Sequence, residues 1–176
     1  DAHDTVYRTG TNNLYSEYVN WTANGYRLPT EAEWEKAARG GLAGHCFPWP
    51  SPGTNYPAYI DGGKANYSGS GDPFDEGTTP VGYCDGNQVP AGSDMANGFG
   101  LYDMAGNVWE WCWDWSGSNL EEYQIDPVGP DAGTTRVQRG GSWGNHDSYH
   151  LQCAYHGANS PALAYIHHGF RCVRRD

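Results

Sequence analysis

The chain has 176 residues, enough for one domain or slightly more, and 38% of them are apolar, including 8 Trp and 13 Tyr that can build a core. The formal net charge of -11 argues against general affinity for nucleic acid, whose phosphates need basic patches. No apolar run approaches the roughly 18 residues of a membrane span, so we expect no membrane insertion. With 25 Gly and 11 Pro the chain must turn often, and the composition predicts a small, loop-rich α+β domain.

The first predicted element is a helix that follows a polar segment. Residues 1–25 are rich in Asn and Tyr and have no clear period. After them, Thr30 can cap a helix and Glu33 can hydrogen-bond back to it, which is a capping box. Gly40 supplies the left-handed residue that ends many helices. The pattern predicts a helix at about residues 31–39.

Residues 42–98 are dominated by Gly, Pro, Asn, Asp and Ser, which predicts a long loop region with a short strand near residues 79–82. So long a stretch without regular structure needs bound ions or disulfides to fix it. No two cysteines have the CxxC spacing of a zinc knuckle. The pairing of the cysteines and the compartment stay open, with a slight preference for the cell surface or secretion. The five are Cys46, Cys84, Cys112, Cys153 and Cys172.

Three strands are predicted in the second half of the chain. From Trp109 to Trp115 every odd position is Trp, and this period of two is typical of a strand with one apolar face. A Trp stripe can bind a sugar by stacking, but in a small domain it more often forms the core, and we expect the core role. Residues 136–143 and 168–174 are the other two candidates.

Four blocks of the sequence resemble the formylglycine-generating enzyme (sulfatase-modifying factor) family. They are residues 26–41 (YRLPTEAEWEKAARGG), 97–115 (NGFGLYDMAGNVWEWCWDW), 136–143 (RVQRGGSW) and 169–174 (GFRCVR). The blocks occur in the family's order, so the resemblance implies one domain over residues 26–176, with residues 1–25 as its partial start. It also implies a C-type lectin-like fold with a short twisted antiparallel sheet.

The family's catalytic residues are missing at the matching positions. Its enzymes oxidise a cysteine of a client sulfatase to formylglycine with a copper-bound cysteine pair shortly after the GGSW block. Here the two positions hold Asn145 and His150, and neither supplies the thiolate that copper(I) prefers. Cys153 lacks a partner at the family spacing. We therefore expect no copper and no formylglycine synthesis.

The resemblance further implies two structural calcium sites, made of side-chain and backbone oxygens. Calcium takes six to eight oxygen ligands, and bound ions would also fix residues 42–98. In the alternative reading, the acidic residues are ordinary turn and ion-pair residues. The first site corresponds to Asn66, Tyr67 (backbone), Asp72 and Phe74 (backbone), and the second to Asp103, Gly106 (backbone), Val108 (backbone) and Glu110.

Residues 144–168 have the composition of a binding surface, because they are rich in Tyr, Ser, Asn, Gly and His and poor in Lys, Glu and Arg. Members of the family also serve as variable proteins of diversity-generating retroelements, in which adenines of a template for such a segment are mutated. Nearly every residue here is reachable from an Asn codon. We expect a non-catalytic domain that binds an unknown protein or surface ligand through Asn145, His146, Asp147, Tyr149, His150, Tyr155, His156, Tyr165, His167 and His168.

Two alternatives to this hypothesis stay open. Five of the seven histidines lie in the last 31 residues, and imidazoles could hold copper, iron or zinc in a metal-dependent enzyme. The domain could also be an accessory module of a larger protein, with residues 144–168 as an ordinary surface loop.

Overall fold

The computed structural model describes Tyr7 and residues 18–50, 60–74, 76–117 and 124–175, so most of the predicted N-terminal segment 1–25 lies outside the described residues. Regular structure is sparse, and the predicted loop-rich α+β class is confirmed. Helix α1 spans Glu31–Arg39, and a 3-10 helix spans Ser148–Leu151. The four strands are β1 (Trp109–Trp115), β2 (Arg136–Arg139), β3 (His156–Asn159) and β4 (His168–Gly169).

Helix α1 has the predicted bounds because its signals are local. The Thr30 hydroxyl accepts a hydrogen bond from the Glu33 N–H at 3.2 Å, and the Glu33 carboxylate accepts one from the Thr30 N–H at 2.9 Å. Gly40 ends the helix with a φ of 54°, and a Cβ there would lie 2.7 Å from the Gly98 nitrogen. Only glycine fits this close, left-handed turn. Trp34 is buried on the inner face of the helix.

The strands form one curled sheet in the order β3-β2-β1-β4. The pairs β1–β2 and β2–β3 are antiparallel, whereas β4 joins β1 in parallel, so the sheet is mixed rather than antiparallel throughout. A register shift between Trp111 and Trp115 increases its local twist. The strand predicted at 79–82 does not form, since that segment is a turn on which Thr79 donates to the Asn107 side chain.

Both faces of β1 are covered. The face that carries Cys112 packs against α1 in a core cluster with Trp34, Ala38, Met104, Val137 and Cys153. The opposite face carries the Trp stripe, and Trp113 is buried there against Val19 and Ala23. The stripe is therefore core at its C-terminal end. At its N-terminal end, Trp109 and Trp111 contact side chains from residues 144–168 instead.

Side chains rather than disulfides hold the described part of the long loop region. The buried Gln88 amide donates to the carbonyls of Gly63 and Ser93, both at 2.8 Å. The Asn97 amide donates to the Ala37 carbonyl at 2.7 Å and ties the loop to α1. All five cysteines are free thiols. Among the described helices, none has the length and apolar character needed to cross a membrane.

Candidate functional site

A tight turn follows β2 and positions the start of segment 144–168. Gly140 and Gly141 both have positive φ values, which reverse the chain after β2. The Asn145 side-chain oxygen then accepts hydrogen bonds from the Ser142 N–H at 2.8 Å and the Ser142 hydroxyl at 3.0 Å. The Asn145 carbonyl accepts a third from the Ser68 N–H. Asn145 was predicted to contact ligand, but the structure uses its oxygen atoms to hold this turn.

Two buried side chains anchor the next stretch. Leu151, in the 3-10 helix, is fully buried in a cluster with Phe47, Ala65 and Ala105. Cys153 is fully buried against α1. The residues between and beside these anchors project outward, because a short helix with one side fixed in the core exposes its other side. Tyr149 and His150 lie on the outward side, and Tyr155 follows the second anchor.

Three side chains of this stretch form a cluster on Trp109. The ring centroids of Tyr149 and His150 lie 4.1 Å apart, and those of Tyr149 and Tyr155 lie 4.8 Å apart in an edge-on arrangement. The Trp109 ring lies 6.2 Å from His150 and 6.0 Å from Tyr155. These are the separations that aromatic pairs prefer, so the three rings support one another and present their outer faces to solvent.

A second cluster lies beside the first, on Trp111. The His168 ring lies 5.4 Å from Trp111 and 4.8 Å from Tyr165. His167 stacks on Tyr165 at 5.4 Å and meets Trp143 edge-on at 6.2 Å. Trp109 and Trp111 project from the same face of β1, so the two clusters share one side of the sheet. We call these six residues, on Trp109 and Trp111, the aromatic surface: Tyr149, His150, Tyr155, Tyr165, His167 and His168.

The remaining predicted ligand residues lie elsewhere. His156 is on the other side of the sheet, where its Nδ1 atom lies 2.7 Å from the Glu31 carboxylate on α1. The His146 Nδ1 atom lies 2.9 Å from the Ser68 hydroxyl, beside the loop of the first predicted calcium site. Asp147 is exposed and precedes the 3-10 helix, where its carbonyl accepts the N–H of His150.

Two exposed apolar residues that the sequence pattern did not indicate lie beside residues of the aromatic surface in the chain. Tyr149 and Tyr165, two of the predicted ligand residues, are 47% and 45% exposed. Ile166 is 81% exposed and Phe170 is 67% exposed, although both were left out of the prediction. Large exposed apolar side chains next to an aromatic cluster in the chain are candidates for ligand contact. Their places in the chain could have indicated them. Ile166 lies between the predicted ligand residues Tyr165 and His167, and Phe170 lies two residues after His168.

The first predicted calcium site contains a buried oxygen that needs a partner. The Asn66 side-chain oxygen is buried and accepts no hydrogen bond from any residue that the structure describes, while its amide nitrogen donates to the Gly77 carbonyl at 2.9 Å. Asp72 is buried nearby in sequence, and its two oxygens accept hydrogen bonds from the Phe74 N–H at 2.7 Å and from the Ser70 hydroxyl. A buried acceptor without a donor is costly, and a cation would satisfy it. Amide and carboxylate oxygens are ligand types that calcium prefers.

The second predicted calcium site fits less well. Arg171 donates to both carboxylate oxygens of Glu110, at 2.5 and 2.6 Å, and the Trp34 indole donates to one of them at 2.6 Å. One oxygen of the Asp103 carboxylate accepts from the Gly82 N–H at 2.7 Å, and burial raises the pKa of Asp103. The Gly106 N–H donates to the Gly140 carbonyl. Glu110 is thus an ion-pair residue in the structure, which was the alternative to a calcium ligand. Val108, two residues earlier, is half-buried.

Residues 15–176 match the sulfatase-modifying factor enzyme 1-like domain. The chain belongs to the sulfatase-modifying factor family. It is 41% identical to the formylglycine-generating enzyme of Thermomonospora curvata in a 166-residue alignment that covers 89% of this chain and 51% of that protein. The chain thus spans about half the length of this relative.

Two solved structures of this family's fold are also similar to the chain. Treponema denticola variable protein 1 superposes with a TM-score of 0.69 and 34% identity, over 90% of this chain and 51% of that one. PvdO from Pseudomonas aeruginosa superposes with a TM-score of 0.66 and 30% identity, over 85% of this chain and 52% of that one. The predicted family and fold are confirmed.

Residues 144–152, which follow the GGSW block, contain no cysteine. The family resemblance implies that Asn145 and His150 stand at the positions of the cysteine pair. Cys153 is fully buried, and burial raises the pKa of its thiol to about 12, so it stays protonated and closed to substrate. Among the described residues, no group of three or more His, Cys, Asp or Glu side chains is placed to hold a metal ion.

Proposed function

We propose that this domain binds a protein ligand through the aromatic surface and performs no catalysis. The observation that carries the proposal is the alternation of buried anchors with outward aromatic and imidazole side chains in one segment. Leu151 and Cys153 are fully buried, while His150 and Tyr155 contact Trp109 and Tyr149 packs on both of them. Tyrosine gives large contact area at low entropic cost, and the anchors keep that area in place.

We further propose that the domain is a variable protein of a diversity-generating retroelement. The similarity to Treponema denticola variable protein 1 over 90% of this chain supports this. The composition of residues 144–168, reachable almost entirely from Asn codons, supports it as well. A segment can vary only where its side chains do not hold the fold, and the separation of anchors from outward residues meets that condition.

Sequencing the segment in sibling strains tests the variable-protein proposal. We expect differences at outward positions such as Tyr149, His150 and Tyr155, and none at Leu151 or Cys153, because polar replacements there would leave buried groups without partners. Residues 99–115 of the same genes serve as the matched control. A segment as constant as that control block would refute the proposal.

The enzyme alternative rests on the similarity to formylglycine-generating enzymes, and it needs its own test. The chain is incubated with a sulfatase-motif peptide, copper and oxygen, and the peptide is analysed by mass spectrometry. The Thermomonospora curvata enzyme is the positive control. We expect no formylglycine, since Asn145 and His150 supply no thiolate pair. Product above the protein-free background would overturn the non-catalytic assignment.

We also propose that a calcium ion binds at Asn66 and Asp72 and holds the loop between them. The unsatisfied Asn66 oxygen supports this site. When bound, the ion would supply positive charge at a buried carboxylate in a strongly acidic chain. The chain's own Phe74 N–H and Gly77 carbonyl orient the two side chains.

A further inference from the structure

The hydrogen-bond partners of the two histidines that lie on the tryptophans favour opposite tautomers. The His150 Nδ1 atom lies 3.1 Å from the Asp147 carbonyl oxygen. A carbonyl oxygen can only accept, so Nδ1 must carry the proton. In the neutral ring the Nε2 atom of His150 is therefore a hydrogen-bond acceptor. No residue that the structure describes donates to this Nε2 atom.

His168 has the reverse arrangement. Its Nδ1 atom lies 3.1 Å from the side-chain nitrogen of Gln138, which can only donate. The Nδ1 atom of His168 therefore accepts, and Nε2 carries the proton. Gln138 is buried on β2, so its amide is held in place. Burial, together with the neighbouring His167, lowers the pKa of His168 and favours the neutral ring.

The acceptor and the donor are adjacent on the aromatic surface. His150 packs on Trp109 and His168 packs on Trp111, while the backbone of His168 pairs with that of Trp109. Side chains two residues apart on one strand face are separated by roughly 7 Å. The two rings therefore rest on tryptophans that are neighbours on one face of β1.

The six residues of the aromatic surface carry no carboxylate, ammonium or guanidinium group, although the exposed Asp147 lies three residues before His150. Large exposed apolar side chains lie close to the surface in the chain, at Leu163, Ile166 and Phe170. Trp109 and Trp111 are covered by the histidines rather than open to stacking, which disfavours a sugar. A ligand must offer one neutral donor, one neutral acceptor and apolar side chains. A polypeptide segment has this chemistry, since each peptide group carries one N–H and one C=O.

We propose that His150 and His168 select amide groups of a protein ligand, with His150 Nε2 accepting an N–H and His168 Nε2–H donating to a C=O. This inference rests on the proposed protein-binding function and names the polar residues that give it specificity. The tyrosines and Ile166 supply contact area, while the two imidazoles set the orientation of the bound segment.

The test uses nitrogen NMR of the histidine rings in the 15N-labelled chain, with N-acetyl-phenylalanine methylamide as the amide probe and methyl glucoside as the sugar probe. We expect protonated Nδ1 on His150 and protonated Nε2 on His168 in the free protein. The amide probe should shift both free Nε2 signals, and the sugar should not. Protons on the opposite nitrogens, or an equal or larger response to the sugar, would overturn the proposal.

Ring-for-ring variants separate this inference from the proposed function. His150→Phe and His168→Phe keep an aromatic ring on each tryptophan but remove the polar atoms. Each should weaken amide-probe binding by roughly 3- to 10-fold, the range for one neutral hydrogen bond, without lowering the melting temperature. His146→Phe, outside the aromatic surface, is the control. If both variants bind the amide probe as tightly as the wild type, amide selection by the histidines is refuted, but the proposed apolar binding surface is not. If the probe does not bind to the protein at all, amide selection is refuted as well.

Discussion

Asp114 is a buried carboxyl whose charge opposes folding. It lies on the α1 side of β1, where one oxygen accepts a hydrogen bond from the Glu31 N–H at 2.6 Å. Burial, reinforced by the charge of Glu31, raises its pKa from 3.8 to about 6, although hydrogen bonds and Arg136 act in the opposite direction. The folded protein therefore holds this proton more tightly than the unfolded chain. Stability contributed by the proton is present below pH 3.8 and is lost as the pH rises to about 6.

The change Asp114→Asn removes this loss. A difference of about two pKa units corresponds to about 3 kcal/mol of unfolding free energy. Relative to the wild type, the Asp114→Asn variant should gain about 0.6 kcal/mol at pH 4 and about 3 kcal/mol at pH 8. The amide oxygen of this variant can still accept the hydrogen bond from the Glu31 N–H at the start of α1. Urea unfolding followed by tryptophan fluorescence at four pH values between 4 and 8 measures the difference.

Asp94→Asn is a matched control, and its effect on the unfolding free energy should change with pH in the opposite direction. Asp94 is exposed, and hydrogen bonds from the Ala96 N–H and the Tyr102 hydroxyl lower its pKa. The Asp94→Asn variant should therefore lose stability, relative to the wild type, as the pH rises through the carboxyl range. If the advantage of Asp114→Asn is the same at pH 4 and pH 8, the buried-charge argument is refuted, because a packing effect alone does not titrate.

Further predictions concern the anchors, the surface, the calcium site and the helix cap. Leu151→Ala should cost about 2–5 kcal/mol in urea unfolding, because it empties a fully buried position. Tyr149→Ala combined with Tyr165→Ala should abolish ligand binding and leave the melting temperature within a few degrees of the wild type; unfolding would contradict the surface assignment. A chelator should lower the melting temperature of the wild type but not of Asn66→Ala, and equal curves for the wild type with and without chelator would exclude the ion. Thr30→Ala should cost about 1 kcal/mol by removing the helix cap.

Local signals account for the elements that were predicted correctly. The bounds of α1 follow from the Thr30 cap and the left-handed Gly40, which act within a few residues and need no partner elsewhere. The strand β1 follows from its Trp period. The strand β3 was missed because its sequence, HGAN, has no β-branched or aromatic pattern, and it forms by pairing with β2. The prediction of a strand at residues 79–82 was wrong for a related reason. The Thr79 N–H donates its hydrogen bond to the Asn107 side chain and not to a neighbouring strand.

The sequence by itself determined the family, the helix, the main strand and the region to which we assign the proposed ligand contacts. Only the tertiary structure decided which residues of that region face outward. It directed Asn145 into a turn with Ser142 and His156 toward Glu31, and it placed Tyr149 and Tyr165 on one side of the sheet. The physical reason is the distance along the chain over which each kind of interaction acts. Caps and periods act through neighbours in the chain, whereas the direction of a loop side chain depends on distant anchors that no local pattern encodes.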